Sequence, residues 1–272
     1  MGRPRAPGWP GELANGPRAC HNVVMTEILQ RHLPDDMRAG RALPGIQPET
    51  GPWLRVDEAY AAQMARREVL LGDYADDVLY LDPGARPAAE ELLEQVLTEL
   101  PGLGFEHVGD SVRCPDGREV RVDAGSPMMT LGRLCQCDLV LMEKRADEHV
   151  LTGAVLCFPA SWRLSEKAGR PLTDIHVPVN AYDADVARRV QRLFDGIQVG
   201  RPLWRFNQLW YQDPELFQPR STQEPRRVGS RADTGPYYRT ERQTLLRLPR
   251  SRAVVFVIHT LVLARADVPA LT

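Results

Sequence analysis

The chain is decided near its end, where residues 237–248 run Tyr237-Tyr238-Arg239-Thr240-Glu241-Arg242-Gln243-Thr244-Leu245-Leu246-Arg247-Leu248 and residues 253–263 run Ala253-Val254-Val255-Phe256-Val257-Ile258-His259-Thr260-Leu261-Val262-Leu263, with Pro249-Arg250-Ser251 between. Two long runs rich in β-branched and aromatic residues around a turn predict an antiparallel pair. The apolar run 253–264 is interrupted by His259 and Thr260. It is well short of the ~20 residues a spanning helix needs, so it reads as a buried strand. Upstream, 203–211 alternates Trp204, Phe206 and Trp210 with Arg205 and Asn207, a third strand. Residues 138–143 and 150–158 predict two more, joined by a hairpin at 144–149, and 118–123 a short one after the Asp116-Gly117 turn.

Helical spacing separates these strands. Tyr60, Met64, Val69 and Leu70 predict a helix over 57–71 with Asp57 as N-cap. Pro87 followed by Leu92, Leu93, Val96, Leu97 and Leu100 predicts a second, stopped by Pro101-Gly102. Val186, Val190, Leu193 and Phe194 give a third over 182–197, while 161–178 reads as short helices and loops. Without regular βαβ alternation, the expected fold is α+β, an antiparallel sheet with flanking helices. The Gly-, Pro- and Arg-rich start predicts a mostly disordered extension over 1–43, with Met25 as a candidate natural start, then one domain over 44–264 and a tail over 265–272. Polar 218–234 predicts a mobile loop.

Composition excludes more than it identifies. Lys+Arg 34 against Asp+Glu 36 gives no basic excess for nucleic acid or an anionic membrane surface. Five cysteines without framework spacing and no secretory leader point to a reducing cytoplasm, and Cys135 and Cys137 lack the second pair of a structural zinc site, so buried thiols are expected. Gly102-Leu103-Gly104 lacks the third glycine and the strand-to-helix setting of a dinucleotide loop.

Several blocks in one order are more specific than any single motif. Phe158-Pro159-Ala160-Ser161-Trp162-Arg163-Leu164, Lys167-Ala168-Gly169-Arg170-Pro171-Leu172 and Ile175-His176-Val177-Pro178-Val179 resemble the central signature of the haem-dependent oxidative N-demethylase α-subunit family. Arg201-Pro202-Leu203-Trp204-Arg205-Phe206-Asn207, Asp213-Pro214-Glu215-Leu216-Phe217 and Glu241-Arg242-Gln243-Thr244-Leu245 resemble its remaining blocks. The resemblance implies a PAS-like fold enclosing haem b, and oxygen-dependent loss of a methyl group from a small, dimethylamine-like secondary amine as formaldehyde. It also implies electrons from NADPH through a separate reductase carrying flavin mononucleotide (FMN) and a [2Fe–2S] cluster, with tetrahydrofolate as a possible one-carbon acceptor.

Haem iron needs an axial donor in apolar surroundings. His176, between Ile175 and Val177, takes that place in the resemblance, although its spacing alone better fits a partly buried histidine bonded to a carbonyl; His259, interrupting an apolar strand, is the runner-up. His107 and His149 lie in turn-like polar sequence. Arg163, Lys167 and Arg170 are the candidate propionate partners, or else a solvated basic face. Asn207, Glu241 and Arg242 are the candidate catalytic groups near bound oxygen and amine, or else cross-strand polar pairs, with Asp138 a weaker fourth. Two other classes answer to the same residues: a haem-based gas or redox sensor without turnover, and a haem-free small-ligand-binding domain. Formaldehyde release separates the first, and haem colour the second.

Overall fold

The computed structural model describes residues 27–37, 45–176, 184–224 and 235–269, apart from the side chains of residues 176 and 184–187. After strand β1 (Gln47–Pro48) come helices α1 (Tyr60–Asp73) and α2 (Ala75–Val78), strand β2 (Leu79–Leu81) and helix α3 (Arg86–Glu99). A small three-stranded sheet follows, β3 (Glu106–Val108), β4 (Ser111–Arg113) and β5 (Glu119–Arg121), then helix α4 (Pro127–Leu134). The main hairpin is β6 (Asp138–Arg145) with β7 (Glu148–Val155). Helices α5 (Leu172–His176) and α6 (Ala184–Gly196) lead to β8 (Leu203–Phe206), β9 (Leu209–Tyr211), β10 (Tyr237–Arg247) and β11 (Val254–Ala264).

The two runs that open the sequence reading pair antiparallel along their whole length, from Tyr237 opposite Ala264 to Arg247 opposite Val254. Across the main sheet the order is β1-β8-β10-β11-β6-β7-β2, with β9 also on β10. Taken in chain order, β6, β7, β8, β10 and β11 lie side by side as second, first, fifth, fourth, third, and α5 and α6 fall between the second and third. This is the α+β architecture with an antiparallel sheet and flanking helices that the sequence predicts.

Because neighbouring strand residues point to opposite faces, the sheet has two cores. On one face Leu139, Leu141, Val255 and Val257 meet Met64, Leu70 and Leu71 of α1, Leu92 and Val96 of α3 and Leu131 of α4. On the other, Val140, Met142, Leu245, Val254 and Ile258 meet Leu164, Leu172, Ile175, Phe194 and Ile197. Each side chain fully buried in this way contributes on the order of 1.5–3 kcal/mol. Gly132 lets α4 lie close on β7, since a Cβ there would stand 2.8 Å from Val155 Cγ2.

Several local expectations change. Helix α1 begins at Tyr60, and Asp57 does not cap it. Asp57 turns the chain by accepting from Ala59 N at 2.8 Å, and its carboxylate serves the distant His259. The β6–β7 hairpin is tighter than 144–149, with Ala146 left-handed at φ 53° in its turn. Residues 27–37, read as part of an extension, lie on the sheet: Gln30 N donates to Val262 O at 2.8 Å, and Leu33 and Met37 are buried. Gln218, read as the start of a mobile loop, is buried and holds Glu215 O from its Nε2 at 2.7 Å. The start at Met25 and the remainder of that loop, 225–234, lie outside the described residues. Cys114, Cys135, Cys137 and Cys157 are buried free thiols, as expected. Among the described residues no helix is long and apolar enough to cross a membrane, and no cluster of His, Cys, Asp and Glu could hold a metal ion.

Candidate functional site

A cavity of about 300 Å³ lies between the second face of the sheet and helices α5 and α6. That is the lower end of the range for small-molecule pockets, roughly 300–1,000 Å³. Its sheet side carries Val140, Met142, Leu245, Phe256 and Ile258, and its helical side Leu172, Ile175, Val190, Leu193 and Phe194. Strand alternation supplies the polar members, because Glu241, Gln243 and Leu245 share the face that looks into it.

Glu241 is held in place. Its Oε2 accepts from Asn207 Nδ2 at 2.8 Å and Gln243 Nε2 at 3.0 Å, while Oε1 has no hydrogen bond among the described residues. Asn207 stands in the gap between β8 and β9, which follow one register along β10. There its Oδ1 accepts from Glu241 N at 2.9 Å, and its own backbone N and O bond Glu241 O and Thr240 Oγ1. Arg205 Nε holds Gln243 Oε1 at 3.0 Å and completes the row.

Lys167 lies at the other side of this cavity. Its ammonium sits 4.5 Å from the Trp162 ring centroid, a cation–π contact, and it has no ion pair among the described residues. Burial lowers its pKa to about 8, only partly opposed by Glu166. Lys167 and Ile175 also line a second, more polar cavity of about 550 Å³ with Arg170, Glu166 and Asp174. Arg170 is exposed there. Arg163 is exposed and paired with Glu224 at 2.7 Å. His176 is the last residue of α5, next in the chain to Ile175, which lines both cavities; its side chain lies outside the described set.

The structure therefore brings together Asn207, Glu241 and Lys167, with Arg170 beyond, and sends Arg242 elsewhere. One residue on from Glu241, Arg242 faces the opposite side of the sheet. Its guanidinium donates to Asp36 Oδ2 and Glu49 Oε2, each at 2.7 Å, and stacks 3.5 Å over Trp204. His259, paired with Arg242 across β10–β11, is on that face too. Asp138 is fully buried and committed to Arg67 at 2.6 Å and the amides of Cys157 and Phe158. His149 is completely buried against Phe194, with burial holding its pKa below the ordinary value, although its flanking sequence reads as a turn. Gln243 was legible in principle, two residues from Glu241 in an alternating strand; Trp162 as a cavity wall was not, because aromatic residues in loops more often fill cores.

Fold and cavity define an α+β sheet domain with a largely apolar cavity on one face of its sheet, whose charged members are Glu241, Arg205 and Lys167, the last without an ion pair among the described residues. Within that class the affiliation is specific: the family model for haem-dependent oxidative N-demethylase, alpha subunit-like proteins matches residues 45–270, and the chain belongs to this family. The residues fit the group that the family name implies. A flat macrocycle needs apolar walls and its carboxylates need cations, and Lys167 is a half-buried cation beside such walls that forms no ion pair among the described residues.

Proposed function

We propose that this protein is the haem-binding subunit of an oxidative N-demethylase, and that it removes a methyl group from a small secondary amine of the dimethylamine kind as formaldehyde. A secondary methylamine, oxygen, two electrons and two protons give the primary amine, formaldehyde and water. The observation that carries the reading is the cavity under α5 and α6, largely apolar, with Glu241 and its clamp, Arg205 on Gln243, and Lys167 at the boundary of a polar annex. The second-first-fifth-fourth-third strand order, with helices inserted between second and third, supports a PAS-like description of the domain.

In this reading His176 would hold the haem iron, and Lys167 and Arg170 would hold the haem carboxylates. The cofactor is haem b, held without covalent links, since no Cys-x-x-Cys-His occurs in the sequence. When bound, haem supplies the site for oxygen activation. Glu241, with Oε2 fixed by Asn207 and Gln243, offers Oε1 to the substrate ammonium and takes its proton there, freeing the nitrogen lone pair. The apolar walls keep water from the reacting centre. Electrons arrive from a separate reductase bearing FMN and a [2Fe–2S] cluster and fed by NADPH.

The test is the visible spectrum of protein made with adequate haem, for wild type and His176→Ala, followed by formaldehyde assay with dimethylamine, oxygen and reductant. A Soret band that shifts or vanishes in the variant, together with formaldehyde release, is expected. A colourless wild type sinks the reading, and haem without turnover turns it into a sensor.

A further inference from the structure

We propose that the cavity on the opposite face of the sheet, where Arg242 and His259 lie, binds a small organic acid, a carboxylate on an apolar body. It measures about 460 Å³ and is bounded by residues 32–37, residues 52–58, Leu103 and the sheet residues Arg242, His259 and Leu261. Nothing in the demethylation reading uses it.

The cavity has an excess of donors. Its acceptors are taken: Asp57 Oδ1 receives Ala59 N and Gln136 Nε2 at 2.8 and 2.6 Å, and Oδ2 receives Gln30 Nε2 and His259 Nε2 at 2.9 and 3.0 Å. Glu58 Oε1 receives the backbone N of Arg31 and His32, and its Oε2 lies 3.1 Å from His32 Nδ1. Behind the wall, Glu49 Oε1 receives Gly51 N and Oε2 receives Arg242. Among the described residues, three nitrogens are not taken. Arg55 Nε, Arg242 Nε and His259 Nδ1 are buried without a partner, and all three side chains line the cavity.

His259 and Arg242 are 5% and 2% exposed, so solvent does not serve these atoms freely. A buried donor left unmet is destabilising. Asp57 can only accept from His259 Nε2, which leaves Nδ1 as the free ring position, an acceptor in the neutral ring and a donor only in the imidazolium, so the two arginine Nε atoms are the fixed donors. A carboxylate bonded to these donors would meet a need that the described residues do not fill. Leu33, Met37, Leu54 and Leu261 provide the apolar wall for the rest of the molecule.

Benzoate is the probe, titrated into the full chain by calorimetry beside benzyl alcohol and benzylammonium, with the Soret region of haem-loaded protein read in parallel. Benzoate is expected to bind saturably and the two others at least about tenfold more weakly. Arg55→Gln, at a partly exposed position, is expected to weaken benzoate about tenfold, and His259→Gln to do the same, while Lys167→Gln and the Soret band stay unchanged. Absence of saturable binding, equal binding of the three probes, or loss in Lys167→Gln with Arg55→Gln unaffected would each overturn the proposal. None of these outcomes bears on whether haem occupies the other cavity.

Discussion

Lys167 pays for its position. A lysine whose pKa falls from 10.5 to about 8 through burial binds its proton less readily folded than unfolded. Between these values the unfolded chain holds more protons, so stability rises with pH across that window, and below pH 8 the whole penalty is present. Lys167→Met should therefore stabilise the haem-free protein by on the order of 1–2 kcal/mol at pH 7, discounted for partial exposure, with the gain gone near pH 10.5. Urea unfolding at several pH values measures it, and a pH-independent difference would show that Lys167 carries no such penalty. Asp57 has the opposite sign. Burial pushes its carboxyl up, but bonds from His259, then Gln136 and Gln30, outweigh that and hold it at about 2, below its usual 3.8. Its contribution is complete above pH 3.8 and is lost as pH falls through about 2. Asp57→Asn should cost roughly 1–2 kcal/mol at neutral pH, and the deficit should close in strong acid. Unfolding curves from pH 7 downward test this, and a deficit that persists unchanged would place the loss in packing.

Asn207 decides whether β8 and β9 act as one strand. Its backbone N keeps one ladder bond, to Glu241 O, while its carboxamide takes over the one from Glu241 N and also grips the Glu241 carboxylate, so sheet continuity and carboxylate position rest on the same residue. Asn207→Ala should cost about 1–3 kcal/mol and speed amide exchange in β9, with Gln243 alone left on Glu241 Oε2. Exchange unchanged at Leu209–Tyr211 would show that the strand needs no such bridge. Helix α4 gives the steric counterpart. Gly132→Ala gains about 1 kcal/mol of helix propensity, but the added methyl meets Val155 and Leu71, and overpacking costs about 1–3 kcal/mol, so net destabilisation is expected in thermal melts. The long elements were legible because their apolar period is long: β10, β11, β6, β7, α3 and α6 all follow the sequence reading. The two- and three-residue strands β1, β2, β3 and β4 carry no period to read, and α4 is hidden in an eight-residue run whose glycine looks like a breaker.

At the scale of the molecule, the site depends on contacts that local sequence does not encode. Glu241 and Arg242 read as one polar pair, yet alternation assigns them to different cavities; the two-residue period was sufficient to separate them. No comparable rule links Asp57 to His259, or Arg67 to Asp138, because tertiary packing alone brings these partners together. The second pair joins the helical layer to the sheet: Arg67 of α1 bonds Gly132 O of α4 at 3.0 Å and Asp138 of β6 at 2.6 Å, and Asp138 also receives the amides of Cys157 and Phe158 just beyond β7. Both charges are wholly buried. Two opposed effects are at work, since desolvating both ions costs nearly what their attraction returns, whereas removing one leaves the other uncompensated. Arg67→Met should thus cost about 3–5 kcal/mol. Arg67→Met with Asp138→Asn should recover part of that, because the stranded charge is gone while the asparagine oxygen can still accept one amide. A double-mutant cycle by urea unfolding reads the coupling. Additive losses would mean that the two groups act separately and that the sheet holds its helical layer by apolar contact alone.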